Sequence, residues 1–252
     1  MRTRADRCPG VWRPWPAEDG LLVRLRLVGG RITRTELAAL VAVAEEYGDG
    51  RVHLTGRANL QLRGLPGRDG AVAPEAVAAL QATGLLPVPT HELVRNIMVD
   101  PRAEVLWPVA DELDRLLCAD ERLADLPGRF LFVLDLPDRE CDLGLVALDA
   151  TTAQLRVGGG WGEVVPLADG AAEIVALANA FLDRRTTEWH VAELPEPLAE
   201  PRTPDPRMPD PLPPIEPGDR HVAAPDGIDR ALLGRLPDGG LVVTPWRGVL
   251  VP

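Results

Sequence analysis

Side chains bearing hydrogen-bond donors recur at every second residue in Arg57-Ala58-Asn59-Leu60-Gln61-Leu62-Arg63. A β-strand repeats every two residues, so Arg57, Asn59, Gln61 and Arg63 would share one face, with Leu60 and Leu62 on the other. Between Arg51 and Arg68 there are four Arg and no acid, unlike the mixed charge of an ordinary solvated strand face. Guanidinium groups match carboxylates bidentately, and each charge-assisted hydrogen bond contributes about 1.5–3 kcal/mol where water is excluded. The stripe reads either as a binding face for a multiply anionic small molecule or as a solvated strand. Two further candidates are Arg95 with Asn96, inside Val94-Arg95-Asn96-Ile97, and Arg129, which opens Phe130-Leu131-Phe132. Arg95 could hold an anionic group with Asn96, or be a buried cation satisfied by Glu92 or Asp100. Arg129 has the same two readings, with Asp125 or Asp135 as its partner.

Other chemistry is poorly represented. All 27 basic residues are Arg, which excludes Schiff bases, a phosphate-loop lysine and a lysine general base. Cys8, Cys118 and Cys141 form no CxxC pair and are too few for a four-thiolate cluster. His53, His91, His190 and His221 lack the companions of a metal motif, so no metal site is expected. The formal net charge is −11, yet residues 1–68 hold 12 Arg against 7 acids. An Arg-rich region on an acidic protein suits a polyanionic small molecule better than nucleic acid. Met1–Gly10 lacks the apolar core of a signal peptide, and no run approaches the roughly 18 apolar residues of a membrane span. A cytoplasmic protein with neither membrane nor nucleic-acid partners is the expectation.

The elements that must position these residues follow from periodicity. Leu21–Val28 alternates as a half-exposed strand before Gly29-Gly30 turns the chain. Thr33 and Glu36 form a capping box for a helix with Leu37, Leu40, Val41, Ala44 and Tyr47 at helical spacing. Strands are predicted around Val52 and Leu54 and from Ala58 to Leu65, and a helix from Pro74 to Thr83. Strand, helix, strand, strand, helix is most of a ferredoxin-like unit. Beyond it come an extended Leu93–Val99, a helix near Val109–Cys118, strands at Phe130–Leu134 and Leu143–Leu148, a glycine hairpin turn at 158–162 and a helix at Ala171–Asp183. Ten prolines fall between Leu194 and Arg220, reading as an extended, poorly ordered linker. The expected class is α+β: a half domain over 1–88, an α/β middle domain over 89–193, the linker over 194–220, and a partial second half domain over 221–252.

Arg7-Cys8-Pro9-Gly10, Asp19-Gly20, Gly29-Gly30-Arg31, Leu54-Thr55-Gly56-Arg57-Ala58-Asn59-Leu60-Gln61-Leu62-Arg63-Gly64-Leu65, Val94-Arg95-Asn96-Ile97 and Thr244-Pro245-Trp246-Arg247-Gly248-Val249 resemble the nitrite/sulfite reductase superfamily. Within it the wording is similar to the precorrin-3B synthase family of cobalamin biosynthesis. The resemblance implies a ferredoxin-like half domain, with Thr55 and Arg57 corresponding loosely to Thr244 and Arg247 of a second half. It also implies that Arg57, Asn59, Gln61, Arg63, Arg95, Asn96, Arg129 and Arg247 contact the acetates and propionates of a tetrapyrrole. Precorrin-3A is the implied substrate, oxidised by O2 through hydroxylation and lactone formation; no catalytic residue is assigned.

The family's [4Fe-4S] cluster is ligated by cysteines after the Thr-Pro-Trp-Arg strand, so this chain would lack it, and a separate cluster-bearing chain is one possible partner. The reductases use lysines beside arginines over sirohaem, which ranks a sirohaem-binding nitrite or sulfite reductase fragment below the corrin-ring reading. Three readings stand: a truncated enzyme, a cluster-less tetrapyrrole-binding module, and an inactive remnant.

Overall fold

The computed structural model describes residues 8–252, so Arg7 of the opening motif lies outside the described residues. The chain forms two bodies, one of residues 8–92 with Pro214–Pro252 and the other of Leu93–Pro213.

The first body begins with β1 (Trp15–Ala17), β2 (Gly20–Leu25) and β3 (Arg31–Thr33), followed by α1 (Arg34–Tyr47). Thr33 caps α1: its hydroxyl accepts from the Glu36 N–H, and the Glu36 carboxylate accepts from the Thr33 N–H at 2.7 Å. Next come β4 (His53–Leu54), β5 (Leu60–Leu65), a small hairpin of β6 (Gly67–Arg68) and β7 (Ala71–Val72), and α2 (Pro74–Ala82). The main sheet runs β1-β2-β5-β4, antiparallel throughout. Alternation in β2 and β5 buries Val23, Leu25, Leu60 and Leu62 in one core with Leu37, Leu40 and Val41 of α1 and Leu80 of α2. Each such leucine contributes roughly 1.5–3 kcal/mol by leaving water. The opposite sheet face carries Arg24, Gln61 and Arg63.

The second body holds β8 (Ile97–Val99), α3 (Trp107–Ala119), β9 (Phe132–Leu134), β10 (Leu143–Ala147), β11 (Thr152–Val157), β12 (Gly160–Pro166) and α4 (Gly170–Arg184). Its sheet runs β12-β11-β10-β9-β8, parallel over the last three strands. Gly158-Gly159 turns the β11–β12 hairpin, both residues having positive φ. Phe130, Phe132 and Phe181 stack in the core at 5.0–5.2 Å. Of the Pro-rich stretch, Arg202 bridges to Trp161, the Gln154 amide bonds both Thr203 O and the Asp205 N–H, and Arg102 donates to Pro213 O. This part is extended and tied to the second body.

The chain then returns to the first body through β13 (His221–Ala223), α5 (Arg230–Leu233), β14 (Gly240–Val243) and β15 (Gly248–Leu250). These form a second antiparallel sheet, β13-β15-β14-β3, that repeats the first on a smaller scale. The turn from β4 to β5 and the turn from β14 to β15 have the same hydrogen bonds. Ala58 N–H donates to Thr55 O at 3.1 Å, Thr55 N–H to Asn59 O at 3.0 Å, and Asn59 N–H to Thr55 Oγ1 at 3.2 Å. Arg247 N–H donates to Thr244 O at 3.2 Å, Thr244 N–H to Gly248 O at 2.9 Å, and Gly248 N–H to Thr244 Oγ1 at 3.3 Å. Ala58 and Arg247 both sit at φ 55°. Residues 55–59 thus superpose in pattern on 244–248. Arg247 matches Ala58, and Trp246 matches Arg57, a one-residue correction to the correspondence read from sequence. The copies exchange short strands: Ile32 pairs with Leu241, and Ile228 pairs with Val52.

Candidate functional site

The strand period starts at Leu60. Ala58 at positive φ breaks it, so only Gln61 and Arg63 lie on β5, while Arg57 and Asn59 belong to the turn before it. Asn59 is 1 % exposed, and its Oδ1 accepts from the Leu27 N–H at 3.1 Å. It ties the turn to the loop after β2 and thereby sets the distance between Arg57 and the arginines of that strand. Arg63 is exposed and pairs with Asp19 at 3.1 Å, which raises its pKa.

Two arginines absent from the sequence candidates stand beside Arg57. Register pairs Arg24 with Gln61, and the Arg24 Nη2 donates to Gln61 Oε1 at 3.4 Å. The Arg24 Nε is buried with no hydrogen-bond partner among the described residues. Arg26 is 3 % exposed and donates to Pro9 O at 3.2 Å. Burial holds Arg24 below the ordinary guanidinium pKa; attraction to Cys8 opposes it, and repulsion from Arg57 adds the smallest contribution. Burial pulls Arg26 down to about 10; Cys8 and Glu92 oppose that fall by more than repulsion from Arg24 and Arg57 adds to it. Glu92, the acid facing Arg26, is itself committed: its carboxylate accepts from the Val11 and Trp12 N–H groups at 2.8 and 3.1 Å. Arg24 and Arg26 are thus desolvated cations grouped with Arg57, an arrangement suited to charge-assisted bonds with an anion. The alternation Val23-Arg24-Leu25-Arg26 was the available signal, and only strand pairing places it beside Gln61.

The first body also holds Arg247, exposed on the second turn. Gly30 joins the two turns. At φ +77°, a Cβ there would lie 2.0 Å from Val243 O and 3.3 Å from the Ala58 Cβ, so only glycine allows this approach.

Arg95, Asn96 and Arg129 belong to the other body. Arg95 is bound bidentately by Asp114 at 2.7 and 2.8 Å, not by Glu92 or Asp100. Asn96 is buried and its Nδ2 donates to Leu93 O, Gly128 O and Phe130 O, shaping the turn that carries Arg129. The Arg129 guanidinium lies 4.2 Å above the Trp189 ring rather than against Asp125 or Asp135.

Among the described residues no three His, Cys, Asp or Glu side chains converge as a metal site. Cys8 is in one body and Cys118 and Cys141 are in the other; burial raises the Cys118 thiol and pushes Cys141 up to about 11. These residues do not fit a four-thiolate cluster. The described residues contain no helix long and apolar enough to cross a membrane.

Residues 15–82 match the nitrite/sulfite reductase ferredoxin-like half domain. The fold is similar to the NirA protein of Mycobacterium tuberculosis, with a TM-score of 0.66 at 16% identity over 98% of this chain and 59% of that one. The chain carries the ferredoxin-like half domain of the nitrite/sulfite reductase superfamily, in an α+β fold built on it. Within the superfamily it is a relative of precorrin-3B synthase: it is 31% identical to the Sinorhizobium sp enzyme over 181 residues, 70% of this chain and 36% of that protein. It is also 38% identical to a ferredoxin–nitrite reductase of Synechococcus elongatus over 137 residues, 49% of this chain and 26% of that one. The chain thus spans about a third or less of the length of these curated relatives.

Proposed function

We propose that this chain is the tetrapyrrole-holding part of a precorrin-3B synthase-like oxidoreductase of cobalamin biosynthesis, with precorrin-3A as its substrate. The observation that carries this reading is the grouping of Arg24, Arg26 and Arg57 beside Gln61, in which Arg24 Nη2 reaches Gln61 Oε1, Arg26 is 3 % exposed, and burial depresses the pKa values of Arg24 and Arg26. A macrocycle edged by eight carboxylates presents acceptors to several such guanidinium groups at once. Gln61, Arg63 and Arg247 extend the same body's donor set. Arg95 is left out of the contact set because Asp114 occupies its fork, and Asn96 because it shapes its own turn.

The residues of this chain act by holding and orienting the substrate, which contributes to rate through positioning. The reaction of the whole enzyme is O2-dependent hydroxylation of a meso carbon with lactone closure by an acetate. No step of it is assigned to these side chains. A four-cysteine cluster would have to be ligated by residues other than these, in whichever polypeptide supplies them. The nitrite reductase relatives favour a second reading, sirohaem as the tetrapyrrole, which the same carboxylate-binding arginines accommodate. It ranks lower because no lysine is present to hold an inorganic anion over the ring.

The test is titration of the 252-residue chain with uroporphyrin III, which carries eight carboxylates, and coproporphyrin III, which carries four. Uroporphyrin should bind the tighter of the two, with affinity falling as salt rises, and Arg57→Ala should weaken it by about ten-fold or more. Equal affinity in wild type and Arg57→Ala, or no binding at all, overturns the reading.

A further inference from the structure

The two matched turns differ in chemistry where they correspond. β13 pairs with β15 as β2 pairs with β5: His221 lies opposite Leu250 and Arg24 opposite Gln61. With Gly248 matching Asn59, Leu250 matches Gln61, so His221 occupies the register position of Arg24. Trp246 likewise stands where the first turn has Arg57. Both guanidinium positions of the first copy are aromatic rings in the second, and Gly30 holds the two turns side by side.

The rings are fixed. His221 is 3 % exposed, and its Nε2 lies 2.9 Å from Thr244 Oγ1, the atom that also accepts from the Gly248 N–H. A Cβ on residue 248 would fall 2.3 Å from that Nε2, so the backbone is closed against the imidazole. The indole of Trp246 meets the His221 ring edge-on, with centroids 6.4 Å apart and planes at 87°. Trp246 remains partly exposed. The His221 Nδ1 is buried without a hydrogen-bond partner among the described residues. A phenyl ring would fill the same space without that orphan atom, so the Nε2 contact to Thr244 is the reason for an imidazole here.

We propose that Trp246 is the aromatic contact of the tetrapyrrole site, lying against the face of the macrocycle, and that His221 is the positioning residue that sets the indole through Thr244 and its own ring edge. A flat conjugated ring with acidic arms needs cations at its rim and an apolar plane on its face. The first turn provides the rim contacts, and the second provides the plane. This inference rests on the tetrapyrrole reading above.

Uroporphyrin III titrations of Trp246→Leu, Trp246→Phe, His221→Gln and His221→Phe, followed by the Soret band and tryptophan quenching with Arg57→Ala as reference, test it. Trp246→Leu should weaken binding about ten-fold and remove the Soret shift seen with wild type, and Trp246→Phe should stay within about three-fold of wild type. His221→Gln, which replaces Nε2 with an amide nitrogen, should bind like wild type, whereas His221→Phe should weaken binding and lose the near-ultraviolet dichroism of a fixed indole. Should Trp246→Leu not fold, the comparison of wild type with Trp246→Phe decides: the quenched component of tryptophan emission should disappear in the variant. Unchanged quenching there, or wild-type affinity in Trp246→Leu while Arg57→Ala weakens, overturns this inference and leaves the tetrapyrrole reading standing. Absence of uroporphyrin binding by the wild-type chain overturns both.

Discussion

Arginine is buried in both bodies of this chain, with opposite electrostatics. In the Leu93–Pro213 body, Arg95 and Arg102 each grip one carboxylate with two nitrogens, Asp114 at 2.7 and 2.8 Å and Asp100 at 2.9 and 2.6 Å. For Arg95 the pairing with Asp114 overcomes desolvation, and for Arg102 the bond to Asp100 dominates, so both stay above the ordinary guanidinium pKa. In the other body, Arg24 and Arg26 sit below it, because burial outweighs Cys8 and, for Arg26, Glu92, which would raise them. Arginines of the first kind hold a fold together. Those of the second kind raise the free energy of the unliganded protein and lower that of a complex with an anion.

The contrast is broken most sharply by taking away an acid. Asp114→Ala leaves Arg95, only 10% exposed, without its carboxylate, and should cost about 3 kcal/mol in urea unfolding of the Leu93–Pro213 body. Uroporphyrin affinity of the other body's site should be unchanged. A loss below about 1 kcal/mol would remove the structural half of the comparison.

Arg24→Met tests the other half. The variant removes a buried orphan N–H and a like-charged neighbour of Arg26, so stability should hold or rise by up to about 1 kcal/mol. Uroporphyrin affinity should fall about ten-fold at the same time. Loss of stability with no loss of affinity would mean that Arg24 is structural.

How much of this was legible in the sequence varied with the range of the interaction. The capping box of α1, its apolar spacing and the helices starting at Pro74 and near Val109 are local, and they appear where periodicity places them. The start of β5 was misread because nothing about alanine announces the positive φ of Ala58, and Thr55 sets it through bonds to residues three and four positions on. Arg95 was matched to Glu92 and Asp100 by proximity in the chain. Glu92 is held by Val11 and Trp12, and Asp100 by Arg102, which leaves Asp114, 19 residues away on α3. Arg24 and Arg26 lie within Leu21–Val28, which reads from sequence only as a half-exposed strand, because their meeting with Gln61 and Arg57 depends on strand register across the fold.

Glu92 sharpens the comparison through pH. Burial raises its pKa above the ordinary 4.5, despite two backbone N–H groups and Arg26, which lower it. A carboxyl whose folded pKa lies above its unfolded one stabilises the fold in acid. That contribution is complete below the unfolded pKa, is lost as pH climbs through the folded one, and is level above it. The stability of wild type relative to Glu92→Gln should therefore fall as pH rises through the folded pKa and stay level above it. A difference that grows with pH would show that the Glu92 charge is well compensated, and with it that Arg26 is an ordinary ion-pair partner.

Asp19 gives the finest adjustment. It pairs with Arg63 at 3.1 Å on an exposed surface, where side chains about two-fifths accessible and bathed in salt contribute little to folding. Asp19→Asn should leave the urea midpoint within error, yet it withdraws an acid from the edge of the arginine face and releases the fork of Arg63. If Arg63 meets a carboxylate of the ligand, uroporphyrin should bind about two- to three-fold more tightly to this variant at low salt, and the gain should vanish in Arg63→Ala. An unchanged Kd at low salt would confine the anion-holding group to Arg24, Arg26 and Arg57, whose guanidinium groups repel one another, and assign Arg63 to the paired kind that the other body exemplifies.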